Sequence, residues 1–115
     1  MSGAVDWPNI AIEEVGPGVS RQTMQGEVST VVRYVYAPGA IFVTHSHPEE
    51  QTTIVLSGMI AFTLNGVERI FGPGDCLIVG PNIPHGARVI GDKTVESINV
   101  LAPKRVASPP SLQAP

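Results

Sequence analysis

"THSHPEEQTTIVLSG", residues 44–58, sets two histidines one residue apart and a glutamine four residues after the second. In an extended strand, side chains at i and i+2 leave the same face, so His45 and His47 can aim at one point. Pro48 disturbs strand pairing, and a turn or bulge through Glu49 can bring the chain back so that Gln51 opens the next strand. Alternation then gives Gln51, Thr53 and Val55 the inward face, and Glu50, Thr52, Ile54 and Leu56 the other. His85 closes the stretch "DCLIVGPNIPH" and is placed to complete the cluster from a neighbouring strand. Two close histidines and a distant third from another strand are a common way to hold a divalent ion. The rival reading is a solvated His-x-His pair that binds nothing, with His85 as a polar turn residue.

The surroundings of this stretch are a series of short strand-like runs. "EVSTVVRYVYA", "AIFVTH", "QTTIVLSG", "MIAFTLN", "VERIFG", "DCLIVG", "HGARVI" and "TVESINVLA" are rich in β-branched and aromatic residues. Turn signals separate them at Pro38-Gly39, Ser57-Gly58, Asn65-Gly66, Gly72-Pro73-Gly74 and Gly91-Asp92. Asn65-Gly66 is the preferred pair for a two-residue hairpin, so the runs beside it should be antiparallel neighbours. No 3.6-residue apolar stripe is long enough for a central helix. Many short antiparallel strands in one chain of 115 residues predict a single all-β domain, a small sandwich or barrel.

Composition narrows the function classes. Apolar residues make up 43% and charged residues 15%, with 12 Gly and 11 Pro to punctuate the strands. A net charge of −3 and no basic run longer than Lys104-Arg105 argue against a nucleic-acid or anionic-membrane partner. No apolar stretch approaches the ~18 residues a membrane helix needs, and "MSGAVDWPNI" lacks the pattern of a signal peptide. The single Cys76 cannot form an internal disulfide, which agrees with the cytoplasm, and its apolar run "CLIV" suggests packing as a small hydrophobe. Residues 1–26 read as a loosely structured N-terminal arm, residues 27–103 as the barrel, and residues 104–115 as a proline-rich, mobile tail. Trp7 is a candidate anchor for the arm.

The spaced motifs resemble those of the cupins. The first cupin motif is matched by Gly39, "AIFVT", His45, Ser46, His47, "PEE", Gln51, "TTIVLS" and Gly58, with glutamine in a slot that is usually a carboxylate. The second is matched by Gly74, "DCLIV", Gly80, Pro81, Asn82, "IP", His85, "GAR" and Val89; its histidine spacing is kept, while Gly80, Asn82 and Val89 replace the family's proline, glycine and asparagine. Asn82 can still adopt the positive φ of the turn. Over residues 27–101 the resemblance implies a single-domain cupin jelly-roll β-barrel, a metal inside one end and a homodimer. It also implies His45, His47, Gln51 and His85 as ligands to one divalent transition metal ion: Ni, Zn, Fe, Mn or Cu. Family spacing and strand alternation both select Gln51 over Glu50, leaving Glu49 and Glu50 as rim or solvated charges.

Three neutral imidazoles and a neutral amide would leave a divalent ion its full formal charge. That favours Lewis-acid chemistry on a small, oxygen-rich, carboxylated substrate: isomerisation, ring opening or lyase reactions. An Fe(II) dioxygenase is the alternative enzyme class, and a non-catalytic metal- or sugar-binding cupin is the third reading. "HSHPEEQ" is further similar to the motif of KdgF-type cupins, which open the ring of unsaturated uronic acids. Those proteins add an aspartate, a phenylalanine and an arginine near the last strand, matched here by Asn99, Leu101 and Arg105. Arg105 is a candidate partner for a substrate carboxylate, whereas Asn99 cannot act as a general base. Tyr34 and Tyr36, if they face inward, are candidate hydrogen-bond donors, with Tyr36 a candidate general acid. Arg88 is a candidate contact for an anion or an exposed strand arginine.

Overall fold

The computed structural model describes residues 3–4 and 6–105, and within them the chain is almost wholly strand and turn. A short 3-10 turn, Trp7–Asn9, precedes ten strands: β1 (Glu13–Gly16), β2 (Val19–Gln25), β3 (Thr30–Tyr36), β4 (Ile41–His45) and β5 (Glu50–Ser57), then β6 (Met59–Leu64), β7 (Val67–Phe71), β8 (Cys76–Val79), β9 (His85–Ile90) and β10 (Val95–Ala102). They form a six-stranded sheet in the order β1-β2-β3-β10-β5-β8 and a four-stranded sheet in the order β4-β9-β6-β7, antiparallel throughout. The two sheets face each other across one core, the jelly-roll arrangement expected from the sequence. No helix among the described residues is long and apolar enough to cross a membrane.

The alternation read from the sequence sets the inner faces. Along β3, Thr30, Val32, Tyr34 and Tyr36 are buried, and along β10 so are Val95, Ser97, Asn99 and Leu101. Gln51, Thr53 and Val55 are the buried positions of β5. The Asn65-Gly66 pair forms a tight turn with φ of 49° and 88°, and β6 and β7 pair from Leu64–Val67 outward, a type I′ hairpin. Gly58, between β5 and β6, has φ +78°, and a Cβ there would lie 2.6 Å from the Thr94 carbonyl oxygen. Only glycine fits that crossing.

Two regions differ from the sequence expectation. The arm read as loosely structured carries β1 and β2, and β2 pairs with β3 along its whole length, from Val19–Tyr36 to Gln25–Thr30. The buried Gln22 ties the lead-in down by donating to the carbonyls of Trp7 (2.6 Å) and Ile10 (2.9 Å), while Arg33 donates to its Oε1 (2.7 Å). The Trp7 carbonyl is thus one anchor point of the lead-in. Cys76 is exposed rather than packed, because Leu77 and Val79 take the inward positions of β8. Residues 106–115 of the expected tail lie outside the described residues, and Arg105, assigned to that tail, is buried.

Candidate metal centre

The site forms where the end of β4 meets the start of β9. A bulge between Phe42 and His45 slips the register, so that His45 faces His85 directly across the strand pair. Gly86 makes the slip possible, because a Cβ there would lie 3.0 Å from the Phe42 carbonyl and 3.1 Å from Thr44 Oγ1. His47 follows β4 in a turn, and its carbonyl accepts from Asn82 N (2.8 Å), which ties it to the loop that delivers His85. Asn82 has φ 62°, the positive turn conformation expected of it. The potential ligand atoms of His45, His47 and His85 lie within 4.8 Å of one another, so these three could hold a metal ion.

Each imidazole is oriented by a carbonyl two residues away. Nδ1 of His45 meets the Val43 oxygen (2.9 Å), Nδ1 of His85 the Ile83 oxygen (2.9 Å) and Nδ1 of His47 the Glu49 oxygen (3.1 Å). A carbonyl only accepts, so each neutral ring carries its proton on Nδ1 and turns the lone pair of Nε2 the other way. This is the tautomer a metal-binding histidine needs, held by outer partners. Burial, followed by the nearby Arg105 charge, lowers the pKa of His47 below the ordinary histidine value, which keeps it neutral.

Gln51, at the mouth end of β5, stands beside this trio. Its Oε1 lies 3.1 Å from His47 Nε2, its Nε2 donates to Thr53 Oγ1 (2.9 Å), and Thr53 donates to Asn99 Oδ1 (2.8 Å). Gln51, Thr53 and Asn99 are all fully buried. His47 Nε2 and Gln51 Oε1 thus face each other as two lone-pair atoms. Two ligands about 2.1 Å from a shared ion, at a right angle, are about 3 Å apart. The donor set fits a divalent ion of the imidazole-favouring kind.

Other residues singled out in the sequence are distributed around this centre. Arg105 is 7% exposed, and both its Nε (3.2 Å) and Nη2 (3.1 Å) bond to one oxygen, Glu49 Oε1. Its backbone is clamped as well: N donates to Thr30 Oγ1 (2.8 Å) and O accepts from Gln25 (3.0 Å). Glu49 is not a solvated rim charge: its side chain is 13% exposed, and Oε1 also lies 3.6 Å from His47 Nδ1. Tyr34 and Tyr36 point inward and pack on each other and on Phe42. Burial raises the pKa of Tyr34 and pushes that of Tyr36 well above the ordinary value, so both stay neutral phenols. The Tyr34 hydroxyl lies near Arg21 and the Tyr36 hydroxyl near Ser97, short of good hydrogen-bond geometry, and Asn99 Nδ2 has no partner. Arg88 is turned outward and paired twice with Glu68 at 2.9 Å. The sequence offered no role for Gly86; it left Glu49 as a rim or solvated charge and Thr53 only as the next inward residue after Gln51.

Comparison with known proteins agrees with this architecture. Residues 32–101 match the family model described as Cupin domain. The H2HPP isomerase of Bacillus subtilis is 32% identical over 79 residues, covering 68% of this chain and 33% of that protein, so the chain spans about a third of its length. Among solved structures, an RmlC-like cupin from Shewanella frigidimarina superposes with a TM-score of 0.83 at 24% identity, covering 92% of this chain and 95% of that one. KdgF from a Halomonas species gives 0.83 at 22% identity, covering 92% and 97%. From the β4–β9 histidines to the last strand, the barrel is that of a member of the cupin family.

Proposed function

We propose that this cupin is a metal-dependent enzyme that isomerises, or otherwise rearranges without oxidation, a small oxygen-rich carboxylated substrate. The observation that carries the reading is the facing of His47 Nε2 and Gln51 Oε1 within a cluster of neutral ligands. A divalent ion held by His45, His47, His85 and Gln51 would polarise a substrate carbonyl or hydroxyl. The nearest carboxylate, Glu49, is already neutralised by Arg105, so nothing in the ligand set reduces the charge of such an ion. That favours Lewis-acid work over stabilising an oxidised iron, and the B. subtilis relative is itself named an isomerase.

Arg105 is the substrate-orienting group in this reading. Its Nε and Nη2 hold a single oxygen of Glu49, and the remaining guanidinium protons would meet a substrate carboxylate while that pair stays intact. Asn99 and Tyr36 are not general bases here: one is an amide and the other a buried phenol that stays protonated. A ring-opening step that needs a carboxylate at position 99 is therefore disfavoured.

The outer face of the six-stranded sheet supports a homodimer. Ile54 lies between Ile98 and Cys76, Thr52 between Val100 and Ile78, and Ile78 is 63% exposed, which makes a broad apolar surface. The exposed thiol of Cys76 suits a reducing compartment such as the cytoplasm. Elemental analysis and oxygen uptake test the reading together. Stoichiometric divalent metal without oxygen consumption is expected. A protein that takes up no metal, or that consumes oxygen with iron bound, overturns it.

A further inference from the structure

The buried file His47–Gln51–Thr53–Asn99 has a direction, and that direction decides what the metal centre sees. Thr53 has one hydroxyl proton, and it goes to Asn99 Oδ1 at 2.8 Å. The Thr53 oxygen is then left to accept from Gln51 Nε2 at 2.9 Å, so the amide must present its oxygen to His47. His47 has already given its only proton to the Glu49 carbonyl. In this sense the file ends in two facing lone pairs, which a cation completes.

The opposite sense is also chemically closed. Asn99 Nδ2 would donate to Thr53, Thr53 to Gln51 Oε1, and Gln51 Nε2 to His47 Nε2. Every junction is then satisfied without any metal, and the amide shows its nitrogen where a ligand oxygen is needed. An asparagine can lead the file either way, because its amide is both donor and acceptor. Whichever way it turns, one of its atoms is left over; in the structure that atom is Nδ2, fully buried and without a partner.

Resting on the metal-centre reading above, we infer that Asn99 is a positioning residue that sets metal affinity through Thr53 by governing which atom of the Gln51 amide faces the histidines. A carboxylate at this position can only accept. It would lock the file in the metal-binding sense, where the amide leaves the ligand set convertible between a metal-accepting and a self-satisfied arrangement. Second-layer partners of this kind alter metal affinity by about 10–100-fold.

The test is Co2+ titration of the metal-free protein by calorimetry, with visible absorption reporting the ligand set. Thr53→Val and Asn99→Leu are expected to weaken Co2+ binding at least about tenfold. Thr53→Ser, which keeps the hydroxyl, should bind close to the parent. Asn99→Asp should bind more tightly than the parent with the same absorption bands; it is nearly isosteric, so it can be read even where Thr53→Val does not fold. If the parent binds Co2+ and Thr53→Val and Asn99→Leu do so with equal affinity and spectrum, the relay is overturned while the metal centre stands. A Thr53→Ser loss as large as that of Thr53→Val overturns it too. If the parent takes no Co2+, both readings fall.

Discussion

The two sheets of this barrel present unlike inner faces to the same interior. The four-stranded sheet is mostly hydrocarbon: Phe42, Ile60, Phe62, Phe71, Ala87 and Val89 pack there. Polarity enters at the histidine end and at the β7 edge, where exposed Arg69 lies over Phe71. The six-stranded sheet turns Arg21, Tyr34, Tyr36, Gln51, Thr53, Ser97 and Asn99 inward, all buried. Both sheets supply apolar packing, the six-stranded one through Val19, Val32, Val55, Val79, Val95 and Leu101. The six-stranded sheet adds a polar layer whose atoms must each find a partner, and Asn99 Nδ2 has none. The two faces meet at the histidine end, where His45 and His85 of the four-stranded sheet approach the polar layer of the six-stranded one, and substitutions in the apolar and polar parts should fail in different ways.

The largest effect is expected on the apolar wall. Phe62→Ala, deleting a fully buried ring that packs edge-on against Phe71, should cost about 3–5 kcal/mol in denaturant unfolding, with metal uptake by the folded fraction unchanged. Next comes Glu49→Ala, which leaves Arg105 buried without its counter-ion. About 3 kcal/mol should be lost, the low end for a buried pair because both side chains retain some exposure. Replacing both members by leucine should recover much of that loss, which would separate the cost of an orphaned charge from the worth of the pair.

His47→Ala should leave the metal-free barrel folded while removing its response to metal. The parent should gain about 2.7 kcal/mol at a metal concentration a hundredfold above Kd, read as a rise in melting temperature, and the variant almost none. A smaller effect follows from acidification. His47 has its pKa lowered by burial and by Arg105, so below its ordinary value of 6.5 the unfolded chain binds the proton more readily than the folded one. The stability of the metal-free protein should therefore be fullest above that pH and fall as pH drops through it, and His47→Ala should flatten this part of the pH profile. The smallest effect belongs to the polar layer: Tyr36→Phe removes a hydroxyl whose one neighbour is Ser97 in poor geometry, and stability should move by less than about 1 kcal/mol. A loss of several kcal/mol there would mean that the hydroxyl is bonded in solution.

Much of this division was legible in the sequence wherever period-2 alternation coincided with turn chemistry. The runs from Thr30 to Ala102 fall on the observed strands because β-branched residues alternate there and Asn-Gly and Gly-Pro-Gly pin their ends. Strand alternation placed Gln51 and Thr53 inward on β5. But β4 ends at His45, and it is the turn after it, tied by Asn82 N to the His47 carbonyl, that brings His47 beside His85. What escaped notice has specific causes. In "VSRQTMQ", β2 turns the polar Arg21 inward and buries Gln22 on its other side, so polarity does not report the face, and Gly16, Pro17 and Gly18 just before it look like loop. "CLIV" gave no phase for Cys76, because the outer face of β8 is apolar as well. Glu49 could not be assigned from its neighbours, since its partner Arg105 lies 56 residues away and the pair exists only once the chain folds back over the mouth.

That fold-back has a practical consequence. Arg105 holds β2 through Gln25, β3 through Thr30 and the His47 turn through Glu49, so one residue rivets two strands and the turn that carries His47 together. A substitution at position 105 would therefore loosen two strands and the His47 turn together, so the last described residue of the chain helps to frame the histidine cluster.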